Sequence, residues 1–175
     1  MTAAQPMRAS RTASFLARLV LASMVLAGVA TVVGPVAHPA PASASTASYM
    51  EGLLVKWIND ARAAKGIPRL TVGTKLTDYA GDRAATLAST NKLAHPSCLG
   101  CALNARDISW STCGEVVAGT TYPYGYEAAK SLFRAWKGSS GHWGILMSRN
   151  FKRFGVGVAY RSSNRTSFAA AVLAG

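Results

Sequence analysis

The chain has 175 residues and a formal net charge of +12, from 19 basic and 7 acidic residues. This length accommodates one domain with a modest hydrophobic core. The excess of basic residues favours anionic partners. These residues are scattered along the chain, and an export signal precedes them, so nucleic acid is not an expected partner.

The first 44 residues are typical of a secretory signal peptide. Three arginines and no acid accompany an apolar run over residues 19–33, and "ASA" at 42–44 fits a cleavage site. The apolar run is shorter than the roughly 20 residues that a membrane-spanning helix needs. We therefore predict a signal peptide over 1–44 and a secreted domain over 45–175 that has no stable membrane span. An uncleaved membrane anchor is the alternative.

The charge of the predicted secreted domain is strongly positive. Residues 45–175 keep all 7 acidic residues and lose three of the 19 basic ones, which leaves a formal charge of +9. Such a surface favours anionic cell-wall polymers or lipid headgroups as neighbours. The alternative is that the charge only keeps the domain soluble. We expect a monomer.

Three cysteines lie in the secreted domain, at Cys98, Cys101 and Cys113. An odd number in an exported chain predicts one disulfide and one spare thiol. Pairing Cys113 with either of the other two would close a loop of useful length. A bridge between Cys98 and Cys101 is the other candidate.

Two helices with one apolar face each are predicted at the start of this domain. The first, over residues 49–66, has apolar residues at helical spacing, and Gly66 followed by Pro68 ends it. Glu51 is assigned to its first turn, where a negative charge is favourable to the helix dipole. The second helix, over residues 75–93, has its apolar face at Leu76, Tyr79, Ala80, Ala84, Leu87 and Ala88.

A short strand, a third helix and a terminal hairpin complete the prediction. Residues 94–112 indicate a loop held by the disulfide, 115–119 a short strand, and 126–137 a helix. In "FGVGVAY", at 154–160, bulky residues alternate with small ones, which predicts a strand whose bare face lets another element pack closely. A turn and a partner strand follow. We therefore predict an α+β fold in which helices pack on a small antiparallel sheet.

Two histidines and one glutamate are the best candidates for a functional site. The domain has only His95 and His142, and Glu115 lies in the apolar segment "STCGEVVAGT", where an unpaired carboxylate is costly. Each residue also has a structural interpretation, as a helix-end or capped histidine or as a carboxylate bonded to backbone amides. Ser139 or Ser140 is suited to cap a short helix through His142. Together, the imidazoles and the carboxylate could bind a metal ion such as zinc, or form a hydrogen-bonded acid–base cluster.

Five segments in the same order resemble the CAP superfamily, also called the SCP domain. Asn59 and Arg62 in "WINDARAAKGIPRL" match its opening helix and Gly-Ile-Pro turn, and His95 matches the histidine after the second helix. Glu115 in "GEVVAG" matches the acid of the Gly-Glu-Asn motif. His142 in "AWKGSSGHWGILM" matches the Ser-x-x-His segment, and "FGVGVAY" matches the Gly-x-Gly strand.

The resemblance spans about residues 53–173 and implies an α-β-α sandwich with a central sheet and a cleft. In this family two histidines and one or two acids face the cleft, and some members bind zinc or another divalent ion there. Members have been linked to sterol or lipid binding, to glycan binding and in a few cases to proteolysis. The chain departs from the family at Val116, where asparagine is usual, and after Trp136, where many animal members have a second acid. Glu127 is the candidate for that second acid.

Three hypotheses for the function follow. The first is a secreted module that binds lipid, glycan or anionic cell-wall material in a cleft formed by His95, Glu115, His142 and Glu127. The second is a zinc-dependent hydrolase in which His95, His142 and Glu115 are the ligands, which leaves only Glu127 as a general base. In the third, the cluster is a polar staple that fixes the loop between the second and third helices.

Overall fold

The computed structural model describes residues 42–175, with side chains from Ser45 onward. The predicted signal peptide lies outside this range except for residues 42–44, whose backbone begins the first helix. The helices are α1 (Ala42–Ala64), α2 (Thr74–Thr90), α3 (Leu99–Asn104), α4 (Tyr126–Gly138) and α5 (Ser140–Leu146). The strands are β1 (Thr71–Val72), β2 (Cys113–Thr120), β3 (Arg153–Arg161) and β4 (Thr166–Ala174).

The four strands form one sheet in the order β1-β3-β4-β2. The predicted hairpin is β3–β4, and it pairs antiparallel along its whole length, from Arg153 opposite Ala174 to Arg161 opposite Thr166. β2 pairs antiparallel with the other edge of β4. The two-residue β1 pairs parallel with β3, so the sheet is mixed at one short edge and antiparallel elsewhere. The predicted α+β sandwich is confirmed.

Helices α1, α4 and α5 cover one face of the sheet. Leu54 and Ile58 of α1 lie one turn apart, as do Leu132 and Trp136 of α4, and all four side chains are fully buried. They pack with the sheet residues of the same face, which include Val116, Ala118, Phe154, Val156, Val158, Ala169, Ala171 and Leu173. This cluster is the main hydrophobic core of the domain.

Helix α2 lies directly against the other face, on the bare side of β3. A Cβ atom added at Gly155 would overlap the backbone of Leu76, and one added at Gly157 would overlap the backbone of Ala80. Only glycine at these two positions therefore lets the helix backbone approach the strand backbone so closely. The predicted close packing on the bare face of "FGVGVAY" is confirmed.

Asn59 and Arg62 connect α1 to the chain that follows it. The Asn59 side chain accepts the Leu70 N–H at 2.7 Å and donates to the Leu70 carbonyl at 2.9 Å. The Arg62 guanidinium is 1 % exposed and donates to the carbonyls of Leu146 and Ser148, at 2.7 and 2.9 Å. Burial lowers the pKa of Arg62, and these carbonyls compensate its charge.

Glu51 has a different role from the predicted one. Because α1 begins at Ala42, Glu51 lies well inside the helix rather than in its first turn. Its carboxylate accepts the backbone N–H of Val158 on β3 at 3.0 Å. β1 ends at Val72, opposite Phe154, so none of the described strands pairs with the β3 edge at Val158. Burial raises the pKa of Glu51, although the Val158 bond opposes this shift.

The segment after α2 contains the disulfide and one element that the sequence did not predict. The bridge joins Cys98 to Cys101, and Cys113 is a free thiol. The short helix α3 begins inside this bridge, whereas a loop was predicted over 94–112. α3 forms because the bridge fixes its first turn and Leu103 is fully buried against α2. Burial raises the pKa of the Cys113 thiol.

Candidate functional site

Glu115 faces the α2 side of the sheet because successive residues of a strand point to opposite faces. On β2, Val116 and Ala118 pack in the main core, whereas Val117 packs with Leu87 of α2. Glu115 is on the same face as Val117, and its side chain is only 2 % exposed. A carboxylate at this depth needs a partner to compensate for its lost hydration.

Arg83 of α2 is that partner. Its Nε donates to Glu115 Oε1 at 2.6 Å, and a terminal nitrogen lies 3.4 Å from Oε2. The same terminal nitrogen donates to the carbonyl of Ala94, which anchors the chain that follows α2. Arg83 was not among the predicted site residues. The signal for it was its position between Tyr79 and Leu87 on the predicted apolar face, where a charged residue requires a buried partner.

His95 also contacts the buried carboxylate. Its Nδ1 lies 2.8 Å from Glu115 Oε2. The His95 side chain is 54 % exposed, so the imidazole spans the distance between the buried carboxylate and solvent. Because Nδ1 is bonded to Glu115, Nε2 is the ring nitrogen that is available to a ligand.

His142 lies on α5, which Ser139 caps. The Ser139 hydroxyl oxygen accepts the His142 N–H at 3.4 Å, as the sequence predicted for this serine or its neighbour. The imidazole is half-buried. Burial lowers the pKa of His142, and the charge of a protonated His95 lowers it further. A positive charge on His95 therefore disfavours the protonated form of His142.

The structure does not bring Glu127 into this group. Glu127 is in the first turn of α4, its side chain is 59 % exposed, and its contact is Lys130 Nζ at 3.8 Å. The residues brought together are therefore Glu115 with Arg83 and His95, and His142 through electrostatic coupling to His95. We call Arg83, Glu115, His95 and His142 the His–Glu group.

The donor set of the His–Glu group does not fit the zinc ion implied by the family resemblance. Both oxygens of Glu115 are bonded, to the guanidinium of Arg83 and to His95. A divalent cation at that carboxylate would lie beside a permanent positive charge. Within residues 42–175, no three His, Cys, Asp or Glu side chains are arranged to hold a metal ion.

Three solved structures share the fold at low sequence identity. An extracellular SCP-domain protein from Bacillus anthracis has a TM-score of 0.65 at 18 % identity, over 78 % of this chain and 44 % of that chain. An outer surface protein from Borrelia burgdorferi has a TM-score of 0.60 at 15 % identity, over 71 % and 91 %. A cysteine-rich secretory protein from Staphylococcus aureus has a TM-score of 0.60 at 16 % identity, over 73 % and 38 %. The chain thus spans less than half of the Bacillus and Staphylococcus proteins.

Comparison with curated protein sequences gave no match. Among the helices of residues 42–175, none combines the length and the apolar character required to cross a membrane. A family model described as the cysteine-rich secretory protein family, CAP, matches residues 55–173, which is more than half of the chain. The matched region contains the whole His–Glu group and the disulfide. The chain therefore belongs to the CAP, or cysteine-rich secretory protein, family.

Proposed function

We propose that this CAP domain acts outside the cell as a binding module for anionic cell-wall polysaccharide, and that His95 and His142 hydrogen-bond to sugar hydroxyls. The observation that carries the proposal is the compensation of Glu115 by Arg83, with N–O distances of 2.6 and 3.4 Å. This ion pair has no net charge. The two imidazoles are therefore the polar groups that the site offers to a ligand. When neutral, His142 provides a donor and an acceptor, whereas His95 donates through Nδ1 to Glu115 and provides Nε2 as an acceptor.

The same geometry favours binding over hydrolysis. A general base needs a free lone pair within reach of the proton that it removes. Glu115 is 2 % exposed and has both oxygens bonded, and Glu127 is paired with Lys130 at the start of α4. Neither carboxylate is placed to activate a water molecule beside the two histidines.

The positive charge of the domain supports an anionic polymer as its ligand, and its family membership supports a location outside the cell. The formal charge of +9 over residues 45–175 attracts anionic polymers at long range. The Bacillus relative is an extracellular protein and the Borrelia relative is an outer surface protein. Both agree with the signal peptide predicted over residues 1–44.

Co-sedimentation of the purified protein with insoluble cell-wall sacculi tests this proposal. His142→Phe keeps an aromatic ring of similar size and removes both ring nitrogens. We expect it to weaken binding about fivefold, the equivalent of one lost hydrogen bond. Lys65→Ala is the matched surface control, since Lys65 is exposed and lies outside the His–Glu group. Undiminished binding by a His95→Gln/His142→Phe double variant that is folded would refute the proposal.

A further inference from the structure

A second candidate site lies between α1 and α4 and shares no residue with the His–Glu group. It is a groove of about 250 Å³ whose lining consists of three aromatic and three basic side chains. These are Trp57, Tyr126, Phe133, Lys130, Arg134 and Lys137. We call it the α1–α4 groove. We propose that this groove binds a carboxylated sugar residue of the wall polysaccharide, an inference that rests on the proposed function.

The aromatic residues of the groove are held in fixed orientations. Trp57 meets the ring of Tyr126 nearly edge-on, with centroids 5.7 Å apart and an interplanar angle of 84°. Its other neighbour is Phe133, at 5.7 Å and 53°. Trp57 is half-buried and Tyr126 is 47 % exposed, so both present ring surface to the groove. Rigid, partly exposed aromatic surface suits a sugar ring because little conformational entropy is lost on contact.

The basic residues supply the preference for an anion. Lys130 has one acidic neighbour, Glu127 at 3.8 Å, and also lies 5.7 Å from the centre of the Tyr126 ring. Arg134 and Lys137 are exposed, and neither takes part in an ion pair within the described part of the chain. Three cations facing one acid give the groove an excess positive charge. A guanidinium can bind a carboxylate through two parallel hydrogen bonds, which favours a carboxylated ligand.

The shape of the groove favours a sugar ring over a lipid chain. On the core side of α4, Ala129, Leu132 and Trp136 have no exposed surface, so no apolar channel continues from the groove into the core formed by the described residues. An acyl chain laid in the groove would keep much of its surface in water beside three charges. A volume of about 250 Å³ lies just below the usual range of small-molecule sites and suits a single ring.

Titration of the purified protein with an oligogalacturonate, a carboxylated oligosaccharide, tests the proposal by calorimetry. Because two unpaired cations are removed, Arg134→Ala/Lys137→Ala should weaken binding about tenfold. Tyr126→Ala, which removes an exposed aromatic wall, should weaken it about fivefold. A charge-matched control, Lys65→Ala/Lys152→Ala, removes two exposed cations outside the groove and should leave the affinity within about twofold.

Equal losses in the control and the Arg134→Ala/Lys137→Ala variant would overturn the groove assignment, as would equal affinity for a neutral dextran oligosaccharide. Binding to anionic phospholipid vesicles without any binding to oligogalacturonate would also overturn it. Selectivity separates the two proposals, because Arg134→Ala/Lys137→Ala should lose the preference for oligogalacturonate over neutral dextran, whereas His142→Phe should keep that preference. If the groove variants bind normally while His142→Phe still binds sacculi weakly, only the groove proposal is refuted.

Discussion

The guanidinium of Arg83 compensates a carboxylate that β2 places almost completely out of solvent. Glu115 lies on the face of β2 that packs under α2, and Arg83 lies on the α2 face that packs over it. His95 completes the hydrogen bonding of the carboxylate at 2.8 Å. The pair is fixed by packing on both sides, so its orientation does not depend on a ligand.

Replacing Arg83 with methionine should destabilise the fold strongly. The substitution keeps an apolar stem but leaves Glu115 as an uncompensated buried charge, and we expect a loss of about 3–5 kcal/mol in the free energy of unfolding. Urea denaturation measures this loss. The double variant Arg83→Met/Glu115→Leu should recover most of it, because two apolar residues then fill the same space. A loss below about 1 kcal/mol in the single variant would contradict the buried pair.

Protonation of His142 should make stability depend on pH in a defined window. Burial and the charge of His95 lower the pKa of His142 from 6.5, so the unfolded chain binds this proton more tightly than the folded protein. The contribution of His142 is complete above pH 6.5 and is lost as the pH falls from 6.5 toward its lowered folded pKa. Unfolding by urea at about pH 7.5 and about pH 5 should show a smaller decrease for His142→Phe than for the wild type. Equal decreases in the free energy of unfolding for the two proteins would contradict the lowered pKa of His142.

At the scale of elements, the contact between α2 and β3 positions the His–Glu group. Arg83 reaches Glu115 only because the helix backbone lies directly on the bare face of β3, where Gly155 and Gly157 leave no side chain. A larger separation between helix and sheet would weaken the ion pair and leave space beneath the helix. Gly155 and Gly157 therefore help to position the His–Glu group, although neither glycine belongs to that group.

Gly157→Ala should weaken this contact. The added methyl group would overlap the backbone of Ala80 and Gly81, so helix and strand must separate, and we expect a cost of about 2–3 kcal/mol. Thermal unfolding monitored by circular dichroism measures the cost. Gly52→Ala is the control, since nothing lies within 4 Å of the added atom on α1. That substitution should stabilise the helix by up to about 1 kcal/mol, and equal melting temperatures for the two variants would refute the packing argument.

The spacing of apolar residues predicted a helix or strand best where the buried residues all follow the repeat of that one element. The predicted apolar face of α2 is buried, from Leu76 to Ala88. The start of α1 was not predictable in this way, because the predicted signal peptide, residues 1–44, includes the first three residues of the helix. Nor was α3, whose first turn depends on the Cys98–Cys101 bridge rather than on periodicity. The two residues of β1 carry no periodic signal at all.

At the scale of the whole molecule, the order of motifs was sufficient to predict the CAP fold, but the site was only partly predictable. Glu115 and His95 were expected together, and they are in contact. Arg83 was not predicted because its partner, Glu115, lies on a different element. The residue pattern of β2 does not show which residue of α2 pairs with this carboxylate. Glu127 was grouped with the cleft on the basis of the family alone, yet the first turn of α4 presents it to solvent.

The carboxylate of Glu51 has a consequence for how copies of this chain meet one another. Within residues 42–175, no strand pairs with the outer edge of β3 beyond the short β1, and such an edge is the kind of template on which fibrils grow by strand addition. Glu51 occupies one backbone donor of this edge, the N–H of Val158, and places an acidic side chain beside it. A strand arriving from another molecule would have to break that bond and align next to the acid. One side chain of α1 thus makes strand addition at this position of the β3 edge more costly.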